Sequence, residues 1–520
     1  MPIVPRGSIN TTALTVPDLY VQITPPQNLT LNGVPTDVLG AIGSASWGPV
    51  NQPVIAASMS DCVRAFGPPM VRKHDLGTLV ATAAQQGAQN FRCVRVTDGT
   101  DAAAAANVSG TTASFQALYT GSRGNLISLR LDPATRPSEW RLTVAMPGMA
   151  PEVFDNPSGA GAAFWQGMAA AVNSGQGLHR GPSLLVRLDD GGAIAAAESF
   201  TLTLGSATTG TDGADGVVAS HLVGVDVAPR TGMYSLRGQA CALIALSDCD
   251  DSTTWATQAG FGIQEGAYMI VTGPANEDVP AAIARKHQAG LDSYAAKLMF
   301  GDWLWWSDQL NGVIRLVSPQ GFVAGRLANL SPEQSSLNKP LYGVVGSQRS
   351  GNPGTGEHSA YTAADLSALL SAGIDVICNP QPGGNFWGVR GGHNAAMNPA
   401  VQGDNYTRLT NFIAATLASG MGRYVGALIN MDLFRNVRAT LLSFLQGMLS
   451  QGLLGSADGA LPFSVICDRS NNPAVRTGLG YVQADVQIQY QAINEKFIVN
   501  VEGGQTVQVT RQTLPSGQPG

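Results

Sequence analysis

Prolines at Pro2, Pro5, Pro17, Pro25 and Pro26 exclude a helix from the first thirty or so residues. Between them Leu19, Val21 and Ile23 alternate with Tyr20, Gln22 and Thr24, the two-residue period of a strand with one apolar face. No neighbouring segment offers this strand a mate, so it must pair elsewhere. From 37 to 97 the pattern predicts βαβ material. Small-residue and apolar strands run over 38–45 and 91–96, with helices ending near Phe66 and over 78–87 between them. Asp61 or Ser60 is the expected cap of the first helix.

Residues 99–217 differ in character. Ala, Gly, Ser and Thr dominate, short strands are predicted over 126–131, 140–144, 184–188 and 200–204, and Asp-Gly turns punctuate them at Asp98, Asp190, Asp212 and Asp215. This reads as an inserted β-rich domain. The α/β rhythm returns over 225–380, with strands at 242–246, 268–272 and 374–378. Helices are expected at 253–262, 280–298 and 363–370, the last capped by Thr362 and ended by Gly373. Two helices follow over 405–455. In the second, Phe434, Val437, Leu441, Leu445 and Met448 share one face, with Arg435 and Arg438 on or near the other. Two strands, 463–467 and 482–490, complete the last compact region. Beyond it Phe497, Val499 and Val501 alternate with Lys496, Ile498 and Asn500, and after Gly503-Gly504 the alternation resumes with Val507 and Val509. A strand beside the C-terminus thus mirrors the one beside the N-terminus.

Composition sharpens this picture. The chain has 520 residues, 44 % of them apolar, so a large core and about three or four domains are expected. Only 13 % of residues are charged, against roughly 25 % in an ordinary soluble protein. Interface cores are depleted in Lys, Glu and Asp, so this little charge points either to a surface largely covered by neighbours or to a neutral secreted protein. The net charge of −6 and the absence of a Lys/Arg run argue against a nucleic-acid binder. Cys62, Cys93, Cys241, Cys249, Cys378 and Cys467 form no CxxC pair, and buried free thiols in a reducing compartment are expected. The first residues lack a charged head followed by an apolar stretch, and no run approaches membrane-spanning length. Cytosolic synthesis, with no membrane insertion, is the expectation.

Several blocks, in order, carry a resemblance. Gly43-Ser44-Ala45-Ser46-Trp47-Gly48-Pro49-Val50-Asn51-Gln52-Pro53 is followed by Phe66-Gly67. Trp303-Leu304-Trp305-Trp306 precedes Val317-Ser318-Pro319-Gln320-Gly321 and Ala324-Gly325. Trp387-Gly388-Val389-Arg390 comes next, then Leu445, Gln451-Gly452-Leu453-Leu454-Gly455, Cys467-Asp468 and Asn472. Together these resemble the contractile tail sheath family of phages and phage-like injection devices over 30–98 and 225–505. The family usually has Arg-Thr at the Trp-Gly motif where this chain has Arg390-Gly391.

The resemblance implies an α/β multi-domain architecture. It comprises an N-terminal arm (1–30), the first part of the α/β core (31–98), an inserted β-rich outer domain (99–217), a subtilisin-like α/β domain (218–380), an α+β C-terminal domain facing an inner tube (381–495) and a C-terminal arm and tail (496–520). It implies a structural role in the virion tail, with assembly in the host cytoplasm. The sheath would polymerise helically around the inner tail tube protein, bounded by baseplate and tail terminator proteins, and contract to drive the tube through a target envelope. The arms, with Leu19, Val21, Ile23, Phe497, Val499, Val507 and Val509, would add strands to neighbouring copies. Arg435 and Arg438 are candidate contacts to an acidic tube.

An enzyme of α/β type and a surface adhesin are the alternatives. The six histidines lie in no protease block, and the sequence has no Gly-x-Ser-x-Gly elbow, HExxH, Walker loop or GxGxxG. No catalytic residue, cofactor or metal is therefore expected. Asp248, Asp250 and Asp251 lack the Gly and terminal Glu of a calcium loop and read better as a helix cap. Trp303, Trp305 and Trp306 read as core or interface anchors and not as a carbohydrate platform.

Overall fold

The computed structural model describes residues 31–157, 159–351 and 360–501, together with the backbone of Ile3–Val4 and of Val21–Gln22. Its centre is a six-stranded sheet, ordered Ala296–Met299, Tyr268–Thr272, Leu243–Leu246, Val38–Gly43, Asn90–Arg95, Val54–Ala56. All neighbours pair in parallel except Val54–Ala56, which runs antiparallel at one edge. The inner strands are apolar at consecutive positions because both faces are covered. Val38, Ile42, Ile244, Leu246, Met269 and Val271 pack under helices Trp255–Glu265, Val279–Ala289 and Ala363–Ser371. Leu39, Ala41, Phe91, Leu243 and Ile270 pack under Met59–Phe66, Leu76–Gln85 and Gln320–Ala328.

The caps explain where these helices start. Ser58, not Ser60 or Asp61, caps the first. Its side chain accepts from the Asp61 N–H, and Asp61 in turn accepts from Ala57 N and Ser58 Oγ. Asp75, Asp278 and Thr362 cap Leu76–Gln85, Val279–Ala289 and Ala363–Ser371. The helix expected over 280–298 stops at Ala289, because Gly290 turns left-handed at φ 61°. The chain then re-enters the sheet as its edge strand Ala296–Met299.

The sheath-like block Gln320-Gly321 and Ala324-Gly325 lies on a buried helix. A Cβ on Gly325 would stand 2.5 Å from the Ala83 Cα, so the two helices touch backbone to backbone at this point.

Residues 99–217 fold around a separate core of Phe115, Leu129, Leu142, Phe154, Phe164 and Trp165, into which Trp47 also reaches. A four-stranded antiparallel sheet and a three-stranded one face this core. Helix Ala162–Ser174 packs there too, in a stretch whose Ala/Gly-rich composition reads as turns and strands. Its Phe164, Trp165, Met168, Ala171 and Val172 nevertheless fall at helical spacing. Buried Arg95 fastens this unit to the sheet, donating to the carbonyls of Gly48 (2.9 Å), Thr120 (2.6 Å) and Asp212 (3.1 Å).

The last unit holds helices Asp404–Met421 and Met431–Ser450 over the two-stranded sheet of Phe463–Ile466 and Asp485–Ile488. Leu31 is buried in the same core as Leu409, Phe444 and Met448. All six cysteines are free and buried. Among the described residues no helix is long and apolar enough to cross a membrane.

Gly325→Val is expected to cost about 1–3 kcal/mol by forcing the two helices apart. Gly447→Ala, on helix Met431–Ser450 with nothing within 4 Å of its would-be Cβ, should instead stabilise by about 0.5–1 kcal/mol. Calorimetric unfolding of the two variants tests the opposed signs.

Candidate assembly interface

The elements that carry the C-terminal segment meet at a buried ion cluster. Lys297 interrupts the apolar run Ala295-Ala296-Lys297-Leu298-Met299, and its side chain has no solvent exposure. Its ammonium donates to Asp375 Oδ2 at 2.6 Å, Asp404 Oδ1 at 3.0 Å and the His393 carbonyl at 2.9 Å. Asp404 also accepts from Tyr268 Oη at 2.7 Å and from the Ser336 N–H and hydroxyl at 3.1 and 2.5 Å. The partners compete with desolvation. Burial works to raise the Asp404 pKa, but Lys297, then Ser336 and Tyr268, outweigh it and hold the carboxyl at about 2. Burial likewise opposes the charge on Lys297, and the two carboxylates overcome it and raise its pKa.

Asp375 serves the loop that follows the Trp-Gly motif. Its carboxylate accepts from Gly391 N (2.8 Å), Gly392 N (2.8 Å) and His393 N (3.1 Å). A Cβ on Gly391 would lie 2.5 Å from Leu370 Cδ2 and 2.9 Å from Asp375 Oδ1. Glycine at position 391 is therefore matched to this tight loop.

The chain leaving strand Asp485–Ile488 is held by one further backbone bond and then by side chains. Gln489 N donates to Pro462 O at 2.7 Å. The Tyr490 ring packs edge-on to Tyr406 at 5.8 Å, and Asn405 Nδ2 donates to Gln491 O at 3.0 Å. His393 Nε2 meets Glu495 Oε1 at 2.8 Å. Beyond that point Phe497, Ile498, Val499 and Val501 are 82, 81, 63 and 84 % exposed. Four large apolar side chains thus stand in water with no strand beside them among the described residues. The sheet of Phe463–Ile466 and Asp485–Ile488 has two strands only, so each has an outer edge with no strand hydrogen-bonded to it among the described residues.

Of the other residues singled out from the sequence, Val21 does find a local mate, contrary to the expectation that no neighbouring segment offers one: Val21–Gln22 pairs in parallel with Ile3–Val4 of the same chain. Leu19, Ile23, Val507 and Val509 lie outside the described residues. Arg435 and Arg438 are both exposed on helix Met431–Ser450, and Arg435 pairs with Asp432 at 2.5 Å. Exposed Val425 and Leu428 lie in the connection just before that helix. Trp303 and Trp306 are buried, bonded through their indoles to Gly273 O (3.1 Å) and Gln85 Oε1 (2.9 Å). Asp251 caps the short turn that begins helix Trp255–Glu265, and Asp250 pairs with Lys73. Among the described residues no three His, Cys, Asp or Glu side chains are placed to hold a metal ion.

The Lys297 cluster and the His393–Glu495 pair are absent from the sequence reading. Their members are far apart in the chain and form no motif. The one local signal is a lysine in the middle of an otherwise apolar strand.

No family model and no curated protein matches this sequence. Solved structures do match in fold. A sheath tail protein of Listeria innocua superposes with a TM-score of 0.60 at 15 % identity, covering 85 % of this chain and 90 % of that one. A sheath tail protein of Desulfitobacterium hafniense gives 0.57 at 15 %, covering 86 % and 93 %. The contracted PVC sheath complex of an extracellular contractile injection system gives 0.54 at 13 %, covering 95 % and 99 %. The chain has the α/β multi-domain fold of contractile sheath subunits.

Asp404→Asn is expected to cost about 3–5 kcal/mol, because it leaves Lys297 short of a buried counter-charge. Since the folded carboxyl titrates lower than the free one, its contribution is complete above 3.8 and is lost as pH falls towards about 2. Acid titration of stability should show a steeper loss across that window in the parent than in the variant.

Proposed function

We propose that this chain is the structural subunit of a contractile sheath, polymerising helically around an inner tube and contracting to drive it through a target envelope. The observation that carries the proposal is the run from Phe497 to Val501, apolar, exposed and unpaired, on a fold shared with sheath proteins. A monomer that kept this segment in water would bear a persistent aggregation hazard. A lattice of identical copies removes the hazard by covering it.

The acceptor we favour is the two-stranded sheet of the C-terminal unit. A sheet of two strands is marginal by itself, and added strands complete it. Phe497, Val499 and Val501 at one end and Leu19, Val21 and Ile23 at the other supply one apolar face each, with Val507 and Val509 extending the C-terminal arm. About five backbone hydrogen bonds at roughly 1 kcal/mol net would contribute about 5 kcal/mol per arm. Each buried side chain adds about 2 kcal/mol. Ordering the arm costs roughly 1–2 kcal/mol per residue. Each arm is then a modest link, and the strength of the lattice comes from repetition.

In this reading the central unit is the subtilisin-like domain and residues 99–217 lie on the outer surface. The C-terminal unit faces the tube, with Arg435 and Arg438 toward an acidic tube surface. Baseplate and terminator proteins bound the polymer, which sits in a virion tail or a related device after assembly in the host cytoplasm. The PVC structure is a sheath complex of an extracellular contractile injection system, and two anti-feeding prophage structures are a helical sheath and a baseplate, which supports these partners by analogy of fold. No observation favours the enzyme or adhesin alternatives.

Electron microscopy of the purified chain should reveal ribbed hollow cylinders. Removing residues 1–24 or 496–520 should leave a folded, non-polymerising subunit; normal tubes from either truncation would refute strand exchange. Reversing Arg435 and Arg438 to Glu should impair assembly on the tube while leaving self-polymerisation of the sheath intact.

A further inference from the structure

The C-terminal segment changes from held to free within two residues. Glu495 is bound to His393, whereas Phe497 is 82 % exposed. The two elements that hold the segment are the loop 391–393, which presents His393, and the first turn of helix Asp404–Met421, which presents Asn405 and Tyr406. Both depend on Lys297. Its ammonium touches the His393 carbonyl and both carboxylates. Asp375 collects the three loop N–H groups, and Asp404 opens the helix and donates its own N–H to Gly392 O at 3.0 Å. Among the described residues the ring of His393 has one polar partner. Its Nδ1 is buried without a hydrogen bond among the described residues, so Glu495 alone engages the imidazole.

We propose that the His393–Glu495 pair is a latch that fixes where the C-terminal arm leaves its own subunit, with Lys297 as the positioning residue behind it. The arm so aimed is taken up by a second copy of this chain, and to that extent the inference rests on the strand-exchange reading above. The physical need is reach. Each residue released lets the chain extend by about 3.3–3.6 Å. Loss of the latch moves the last anchor from Glu495 back to Gln491, which blurs the arm's origin by roughly 13 Å over four residues. A segment already held in its binding direction loses less freedom on capture, so it is captured faster.

Lys496 gives a direct readout, because trypsin must draw the residues on both sides of it into an extended form. In the full-length chain, Glu495→Gln and His393→Ala should each speed cleavage after Lys496 severalfold. Cleavage after Arg230, in an exposed loop of the α/β unit, should not change. Both variants should also slow tube formation followed by light scattering. The exchanged pair, His393→Glu with Glu495→His, adds no trypsin site and should restore both. For the positioning role, Lys297→Met combined with Asp375→Asn and Asp404→Asn should raise Lys496 cleavage relative to Arg230 cleavage; an equal rise at both sites would mean general loosening and would overturn that role. Unchanged Lys496 cleavage in Glu495→Gln, or an exchanged pair that restores nothing, would overturn the latch. Failure of the unmodified chain to form tubes would instead sink the strand-exchange reading, and Lys496 protection would still report on the latch alone.

Discussion

An ammonium group without access to water is stable in a protein only when charge and hydrogen bonds replace its hydration. Lys297 has two carboxylates and a carbonyl, and this one requirement draws together three distant parts of the chain. Its strand is the edge of the central sheet. Asp375 sits between helix Ala363–Ser371 and the Trp-Gly loop, and Asp404 begins the first long helix of the C-terminal unit. Replacing the cluster with apolar packing would give comparable stability but less constraint on orientation, since hydrocarbon contacts tolerate sliding and directed hydrogen bonds do not. The cluster therefore sets the angle at which the C-terminal unit meets the sheet. Arg95 works in the same way at the other junction, bonded to Gly48 O on its own side and to the Thr120 and Asp212 carbonyls of the β-rich unit on the other. Buried cations at both junctions, with Arg123 and Arg408 beside Arg95 and Lys297, thus join three separately cored units into one body.

Much of this architecture was legible from residue patterns. Strand Tyr268–Thr272 and the Thr362 cap fall where apolar runs and capping residues put them, and the face of Phe434, Val437, Leu441, Leu445 and Met448 is buried as its spacing requires. Errors arose where two patterns overlap. The stretch after Gly290 has helix-compatible composition, but a left-handed glycine ends the helix and the sheet's open edge claims the next apolar run. Helix Ala162–Ser174 is concealed by alanines and glycines that carry little periodic signal. The site divides likewise. The apolar alternation of Phe497, Val499 and Val501 is a local property and was readable. The latch and the Lys297 cluster depend on contacts between residues 78 to 107 positions apart, and single-sequence periodicity carries no such information.

Low charge and strong internal fastening belong together. A surface with few charged residues offers neighbours large neutral areas but little electrostatic steering. Correct docking must then come from shape and from backbone hydrogen bonds, both of which need a subunit of fixed form. The exposed apolar side chains concentrate on the C-terminal unit, at Val425, Leu428, Val475, Leu479 and Tyr481 as well as on the arm. This is also the unit that contains Leu31 and from which 496–501 depart, so the part of the molecule richest in uncovered apolar surface carries the roots of both terminal segments.

A sheath that contracts must change the geometry between subunits without unfolding any of them. The stability of a folded domain is typically about 5–15 kcal/mol. A single arm, once its ordering entropy is subtracted, falls at or below the bottom of that range. Strain in such a lattice is relieved first at the links, provided that the joints within the body are stiffer than the links. Buried ion clusters supply that stiffness, since partial opening leaves a desolvated charge uncompensated and is resisted from the first displacement. The histidine–carboxylate pair at the root of the arm is weaker, because its glutamate is open to water. If the sheath reading holds, compliance would be graded along the chain, from the buried Lys297 cluster through the His393–Glu495 contact to the exposed run at Phe497, and rearrangement of the polymer would be confined to its outermost step.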